Sequence, residues 1–261
     1  MRYGTWNVRS LYRSVSLQAA PRELARYKLD LVYVQEVGWD KRGMVRAGDC
    51  NFFYIQGNEN HEFGTGFLMH HRVVSAVKRV EFVSGRMSYV VLRGRWCNII
   101  VLNVHAPSEE KNVYSKHNFY EELEQVFDHF PKYHMKILLG EFNAKVEREN
   151  IFKPAIGNES LHQGSNDNGV RTVNFTTSKN PVVKSTMFPH IHKYTWTSPD
   201  RKTRKQIDHI LKERRWHSSV LDVQCFRGAD CDTDHYQVVA KVRERLAVSK
   251  QAAQKFDVGK I

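Results

Sequence analysis

The run "KILLGEFNAK", residues 136–145, constrains the fold more than any other stretch. Ile137, Leu138 and Leu139 read as a buried strand; Gly140 breaks the run, and Glu141 and Asn143 follow with one residue between them. The same pattern recurs along the chain. "YGTWN" stops on Asn7, "LDLVYVQE" on Glu36 and "IIVLNVH" on His105. "KQIDHI" carries Asp208 in apolar surroundings, and "DTDHYQVV" sets Asp234 and His235 just ahead of a strand. Parallel and mixed sheets gather such strand ends along one edge, where the ligands of α/β folds usually sit. A single polar residue at a strand end is a turn former or half of a salt bridge. A set of them on successive apolar strands calls for an architecture that brings them together.

The remaining pattern agrees. Further strand candidates are "GTGFLMH", "YVVLRG", "KYTWTS" and "HYQVVAKV". Two segments follow the 3.6-residue period of an amphipathic helix. In "LQAAPRELARYK", Leu17, Leu24 and Tyr27 share a face; in "HNFYEELEQVFDHF", Phe119, Leu123, Val126, Phe127 and Phe130 do so. Strands alternating with helices, without a Pro-, Gly- or Ser-rich linker or an internal repeat, predict a single α/β (α+β) domain over residues 1–245. From Leu246 the strand pattern is lost, and residues 246–261 read as a polar, partly helical tail.

Charge narrows the partners. Forty Lys and Arg stand against 28 Asp and Glu, a formal charge of +12, which favours polyanions: nucleic acid first, an anionic membrane surface second. The four cysteines, Cys50, Cys97, Cys225 and Cys231, form no CxxC pair and no dense framework, which suits a reducing compartment. "MRYGTWNVRS" lacks the apolar core of a signal peptide, and no run is long enough to span a bilayer. The expectation is a nuclear or cytosolic protein, not a secreted one, with DNA as partner, no membrane, and no obligate protein partner evident.

The polar set also indicates a chemistry. Carboxylates and amide oxygens suit a hard divalent cation such as Mg²⁺. A histidine beside an aspartate suits proton transfer. No HExxH, P-loop or GxSxG is present, and the histidines of "MHHR" and "HIH" lack partner cysteines at zinc spacing. Acids, amides and histidines without a nucleophilic Ser or Cys point to metal-assisted attack of water on a phosphate.

Together "GTWNVRSL", "VYVQEVGW", "LNVHAP", "LLGEFNAKV", "QIDHIL" and "TDH" resemble, in order, the motifs of the endonuclease/exonuclease/phosphatase family, from Arg2 to about Arg245. Within it the chain looks most like the endonuclease domains of non-LTR retrotransposons. The resemblance implies a deoxyribonuclease I-like four-layer sandwich, two mixed β-sheets face to face with helices outside. It implies Mg²⁺ or Mn²⁺ held by Asn7 and Glu36, with Asp234 a further metal-facing carboxylate. It makes Glu141 the group that activates or orients water and Asn143 the one that orients the phosphate. Asp208 and His235 become a dyad, and His105 stands where the family has tyrosine or histidine, either able to donate a proton toward the leaving oxygen. The histidine predicts titration near neutrality. The tail is similar to the linker that precedes the reverse transcriptase in such elements.

Glu141 departs from the family, which has aspartate there. Its extra methylene displaces the carboxylate by about 1.5 Å, and misplacement by about 1 Å can slow catalysis ~100-fold. A working and an impaired enzyme both remain open. "TSPDRKTRKQ" puts Arg201, Lys202, Arg204 and Lys205 on a hairpin loop beside the catalytic edge, as backbone-phosphate contacts or as a solvated turn. Trp196 reads as a nucleotide-stacking or a core residue. "NDNGVR" starts a helix, and Asn168 and Arg171 face the substrate or, for Asn168, cap the helix. Three functions compete: a DNA endonuclease leaving a 3′-hydroxyl, a phosphatase of lipids or small molecules, and a catalytically weak, domesticated nucleic-acid or chromatin binder.

Overall fold

The apolar runs become strands of two sheets packed face to face. The computed structural model describes residues 1–9, 21–38, 43–55, 64–148, 155–189, 192–228 and 233–247. One sheet contains β1 (Arg2–Asn7), β2 (Leu31–Gln35), β3 (Gly43–Ala47), β4 (Cys50–Tyr54), β5 (Thr65–His70), β14 (Val220–Phe226) and β15 (Gln237–Val242). Their order is β14-β15-β1-β2-β5-β4-β3. The other contains β6 (Val77–Ser84), β7 (Met87–Arg93), β8 (Asn98–His105), β9 (Met135–Glu141), β10 (Pro181–Val183) and β13 (Asp208–Glu213), in the order β10-β13-β9-β8-β7-β6. A small hairpin, β11 (Trp196–Thr197) and β12 (Arg204–Lys205), stands apart. β1 runs parallel to β2 and β8 parallel to β9, so both sheets are mixed.

Continuous apolar runs are needed because the central strands are covered on both sides. In β8, Ile99 and Val101 point between the sheets, whereas Ile100, Leu102 and Val104 point outward. Outside, they meet helices α1 (Val113–His129) and α2 (Asp167–Lys179) through Phe119, Leu123, Phe127 and Phe175. The other sheet is covered by helical residues 21–26, where Leu24 packs with Trp6, Val32 and Phe52. The layers are therefore helix, sheet, sheet, helix, as expected.

α1 begins at Val113 instead of His117, because the Asn112 side chain caps it by accepting from Ser115 N at 2.7 Å. Leu17 lies outside the described residues, as do residues 248–261 of the tail. The first tail residues are tied down: Leu246 bridges Gly94, and Ala247 donates to the Arg93 carbonyl. Cys50, Cys97 and Cys225 are free thiols. Among the described residues no helix is long and apolar enough to cross a membrane.

Candidate active site

Register brings the polar strand ends together. In the parallel pair β8–β9, His105 lies opposite Glu141; in the antiparallel pair β9–β13, Asp208 lies opposite Glu141 from the other side. Asn7 ends β1 opposite Gln35 of β2, and Glu36 follows with φ +55, which turns it out of the strand. Gly140 is required before the acid. Its φ is +151, and a Cβ there would lie 1.9 Å from the Val104 carbonyl oxygen.

A buried polar layer under this edge joins the sheets. Gln35 Nε2 donates to Asn103 Oδ1 at 2.5 Å and to Thr5 Oγ1 at 3.0 Å; Asn103 Nδ2 donates to the Val34 carbonyl. The residues flanking Glu36 and His105 are thereby locked across the sandwich.

Glu141 is the centre of the site and is 4% exposed. Its Oε2 accepts from Asn7 Nδ2 at 2.6 Å and lies 3.6 Å from His105 Nε2, while Oε1 lies 3.8 Å from His235 Nε2. Glu36 Oε1 is 3.5 Å from His105 Nε2. Behind His235, Asp208 Oδ2 receives Nδ1 at 3.1 Å, and Asp208 is wholly buried. The backbone N–H groups of Ile207 and Asp208 both donate to Thr195 Oγ1, which fixes the acid's place. Asn143, at φ +50, sits at the rim and donates to the Ala106 carbonyl.

Proton affinities diverge within this small volume. Burial, with repulsion from Asp208 and Glu36, raises Glu141 to about 7. Burial opposes charge on His235, but Glu141 and Asp208 outweigh it and raise the ring to about 10. Burial, then the Arg86 guanidinium and His235, push His105 down to about 3. The expectation that His105 titrates near neutrality is thus corrected: it is a neutral imidazole.

Two groups of side chains offer ligand atoms within 4.8 Å of one another, Glu36–His105–Glu141 and Glu141–Asp208–His235. Carboxylate oxygens dominate both, and Asp208 Oδ1 is buried without a hydrogen-bond partner. A hard divalent cation fits this donor set.

Residues 4–235 match the sequence profile of the Endonuclease/Exonuclease/phosphatase family. The chain belongs to that family. It is 32% identical over 260 residues to Craniofacial development protein 2 of Bos taurus, covering 98% of this chain and 43% of that protein. The chain therefore spans less than half the length of that relative. Its fold is similar to the 3′ phosphatase NExo from Neisseria bound to product DNA hairpin, with TM-score 0.68, 21% identity and coverage of 93% and 99% of the two chains. It is also similar to the endonuclease domain of TRAS1, a telomere-specific non-LTR retrotransposon, with TM-score 0.65, 12% identity and coverage of 93% and 97%.

The other residues singled out in the sequence fall in three places. Asp234 belongs to neither ligand group: its Oδ2 accepts from Trp196 Nε1 at 2.9 Å and pairs with Arg9 at 3.4 Å, while its Oδ1 is buried without a hydrogen-bond partner. Asn7 Oδ1 accepts from the Arg9 N–H at 3.0 Å and keeps a second lone pair, while its amide nitrogen is held by Glu141. Trp196 is half-buried on the hairpin beside His235, with the Lys205 ammonium 4.7 Å from its ring centre; Arg201, Lys202 and Arg204 are exposed there. Asn168 is corrected. It is fully buried and donates to the Pro107 carbonyl, so it meets no substrate, and the α2 cap is Asn166, whose Oδ1 accepts from Gly169 N. Arg171 is held by Asp167 at 3.1 Å and does not line the cleft that contains Glu36, His105 and Glu141.

Sequence reading missed Arg86, Thr195 and Arg9. Arg86 donates to the His105 carbonyl at 3.2 Å and lines the cleft formed with Glu36, His105, Lys111 and Glu141. A lone arginine in the "SGRM" turn carries no spacing signal that would have found it.

Proposed function

We propose that this chain is a divalent-metal-dependent phosphodiesterase that nicks DNA internally and leaves a 3′-hydroxyl. The observation that carries the reading is Glu141 standing between two imidazoles of opposite proton affinity, with carboxylates behind them. Glu36 and Glu141 would hold Mg²⁺ or Mn²⁺, which when bound supplies positive charge to the phosphoryl oxygens and acidifies water.

The protein groups divide the remaining work. Asn7 fixes the Glu141 carboxylate, which accepts the proton of the attacking water. Cationic His235, held by Asp208, donates to a non-bridging phosphate oxygen as charge builds there. Asn143 orients the phosphate from the rim. Neutral His105 keeps a ring N–H or lone pair near the leaving oxygen without adding charge. The water oxygen bonds to phosphorus as one of its protons passes to Glu141, the P–O3′ bond breaks, and O3′ takes a proton from solvent water while Glu141 returns its own to solvent, giving a 3′-hydroxyl and a 5′-phosphate. The excess of basic residues and the cationic hairpin beside His235 support DNA over a lipid or small phosphate. The motif resemblance and the TRAS1 likeness support descent from a retrotransposon endonuclease, and residues 246–261 as its linker.

The test is nicking of supercoiled plasmid in Mg²⁺ and in EDTA, with polymerase extension of the nick to identify the 3′-hydroxyl. Glu36→Gln should lose nicking with its fold intact. Full activity in EDTA would sink the assignment. Glutamate at 141 favours a second reading, a nucleic-acid binder with little catalysis; that protein would bind the plasmid in Mg²⁺ and leave it intact.

A further inference from the structure

Beside the catalytic centre, on the His235 side, lies an open cleft of about 510 Å³. Arg9, Arg201, Arg204, Tyr194, Tyr236 and Asp234 contribute to its walls. It is adjacent to the scissile position by covalent structure: Arg9 is two residues past Asn7, and Asp234 precedes His235.

The aromatic floor of this cleft is already covered by arginine. Tyr194 is 9% exposed, and the guanidinium of Arg204 lies 4.7 Å from its ring centre and that of Arg227 4.0 Å. Arg227 also lies 5.9 Å from Tyr236, which meets Tyr194 edge-on at 5.5 Å. At 9% exposure and with two guanidinium groups against it, the Tyr194 ring leaves little surface for a nucleobase. A guanidinium seated against an aromatic ring keeps N–H groups for paired hydrogen bonds to a phosphate. Charge points the same way. Arg9, Arg201 and Arg204 line the cleft with a single carboxylate, Asp234, whose Oδ2 is already engaged by Arg9 and the Trp196 N–H. The nearby Asp200 is fully exposed and spends its carboxylate on the Ser198 hydroxyl and the Lys202 N–H of the hairpin turn.

We infer that this cleft binds a backbone phosphate of the nucleotide next to the scissile bond, through Arg204 seated against Tyr194 together with Arg9 and Arg201. The inference rests on DNA being the substrate, as proposed above. It makes Arg204 a specificity determinant for a continuing strand, since a small phosphate ester has no second phosphate to place there.

The test uses Glu36→Gln protein, which binds without cutting, and duplexes in which one phosphate at a time near the nick position is made neutral as a methylphosphonate. At one flanking position, neutralising the phosphate should weaken binding roughly tenfold. Arg204→Gln should weaken binding of the unmodified duplex by a similar factor and flatten the slope of log Kd against log salt by about 1. The two changes together should do no more than either alone. Tyr194→Phe should keep this coupling; Tyr194→Leu should lose it while its thermal unfolding shows a folded protein. Additive effects at every phosphate scanned would overturn the inference. So would inorganic phosphate raising the parent's Tm, but not that of Arg204→Gln, while no DNA phosphate couples. Because the readout is binding, coupling in a parent that never nicks would refute only the nuclease reading, and nicking without coupling only the cleft.

Discussion

Asp208 and Lys212 lie four residues apart on β13, on the face turned into the sandwich, and both are wholly withdrawn from water. Asp208 meets the His235 ring at 3.1 Å and two histidine–acid contacts surround it through Glu141. Lys212 has no hydrogen-bond partner for its ammonium, and burial drives its pKa down to about 7 against the weaker pull of Glu244 and Glu213. The Asp208 end keeps its ions because acids and imidazolium compensate one another inside the protein. The far end of the same strand holds a lone cation, and there the fold sheds the proton instead. Nothing in the structure explains why a lysine stands at 212. The difference separates buried charge that is organised from buried charge that is merely tolerated.

Removing charge at the organised end should have the larger consequence. Asp208→Asn takes away the carboxylate that holds His235 in orientation and helps keep it cationic. A single mispositioned donor at a developing oxyanion lowers kcat by about 100- to 1000-fold, and a loss of that size is expected in single-turnover nicking. Repeating the measurement across a Mg²⁺ titration separates this loss from weakened metal binding, which excess metal restores. A rate within threefold of the parent at saturating Mg²⁺ would show that the dyad is structural.

At the other end the same kind of deletion should help. Lys212→Met removes a buried cation and keeps its volume, with an expected stabilisation of about 2–4 kcal/mol at pH 6. The sign follows from protons bound. Between about 7 and the ordinary lysine value of 10.5 the unfolded chain holds a proton that the folded chain has lost. The parent's stability therefore rises with pH through that window, and its burial penalty is complete below about pH 7. The advantage of Lys212→Met should shrink toward zero near pH 10. Urea unfolding at pH 6 and pH 9.5 checks it, and an equal advantage at both would mean that titration is not the cause.

The contrast between paired and unpaired groups also describes what the sequence made legible. Interior strands β1, β2, β5, β7, β8, β9, β13 and β15 stand out as apolar runs because they are covered on both faces. The strands it missed include the edges β3, β6, β10 and β14, and β4 beside β3. In β3, β6 and β14 exposed residues dilute the alternation, and β6 and β14 carry bulges that shift the phase; β10 is wholly buried but only three residues long. In the site, Asn7, Glu36, His105, Glu141 and Asp208 were visible as interruptions of apolar runs. Arg86, Thr195 and Tyr194 were not, because each acts through a contact distant in sequence. Asn168 was misplaced because two asparagines flank the α2 start, and only packing decides which one caps it.

Glu141 is where the two ways of reading the molecule disagree, and it gives the most discriminating and smallest of the expected effects. Sequence comparison with the family's aspartate suggested that Glu141→Asp would return the carboxylate to a better place. The geometry argues the reverse. The longer side chain reaches Asn7 at 2.6 Å and puts one oxygen near each imidazole. Shortening it by one methylene withdraws the carboxylate by about 1.5 Å and breaks the Asn7 bond, and an error of this size is worth up to ~100-fold in rate. We expect Glu141→Asp to be about 10- to 100-fold slower than the parent, with unchanged DNA affinity. Asn7→Ala, which removes the same hydrogen bond from the other side, should cost a similar factor, and the double variant should be scarcely worse than either single one. Four single-turnover nicking rates at equal Mg²⁺, for the parent, the two single variants and the double, decide it. A faster Glu141→Asp protein would mean that the site is still shaped for aspartate, and that glutamate has worn it down.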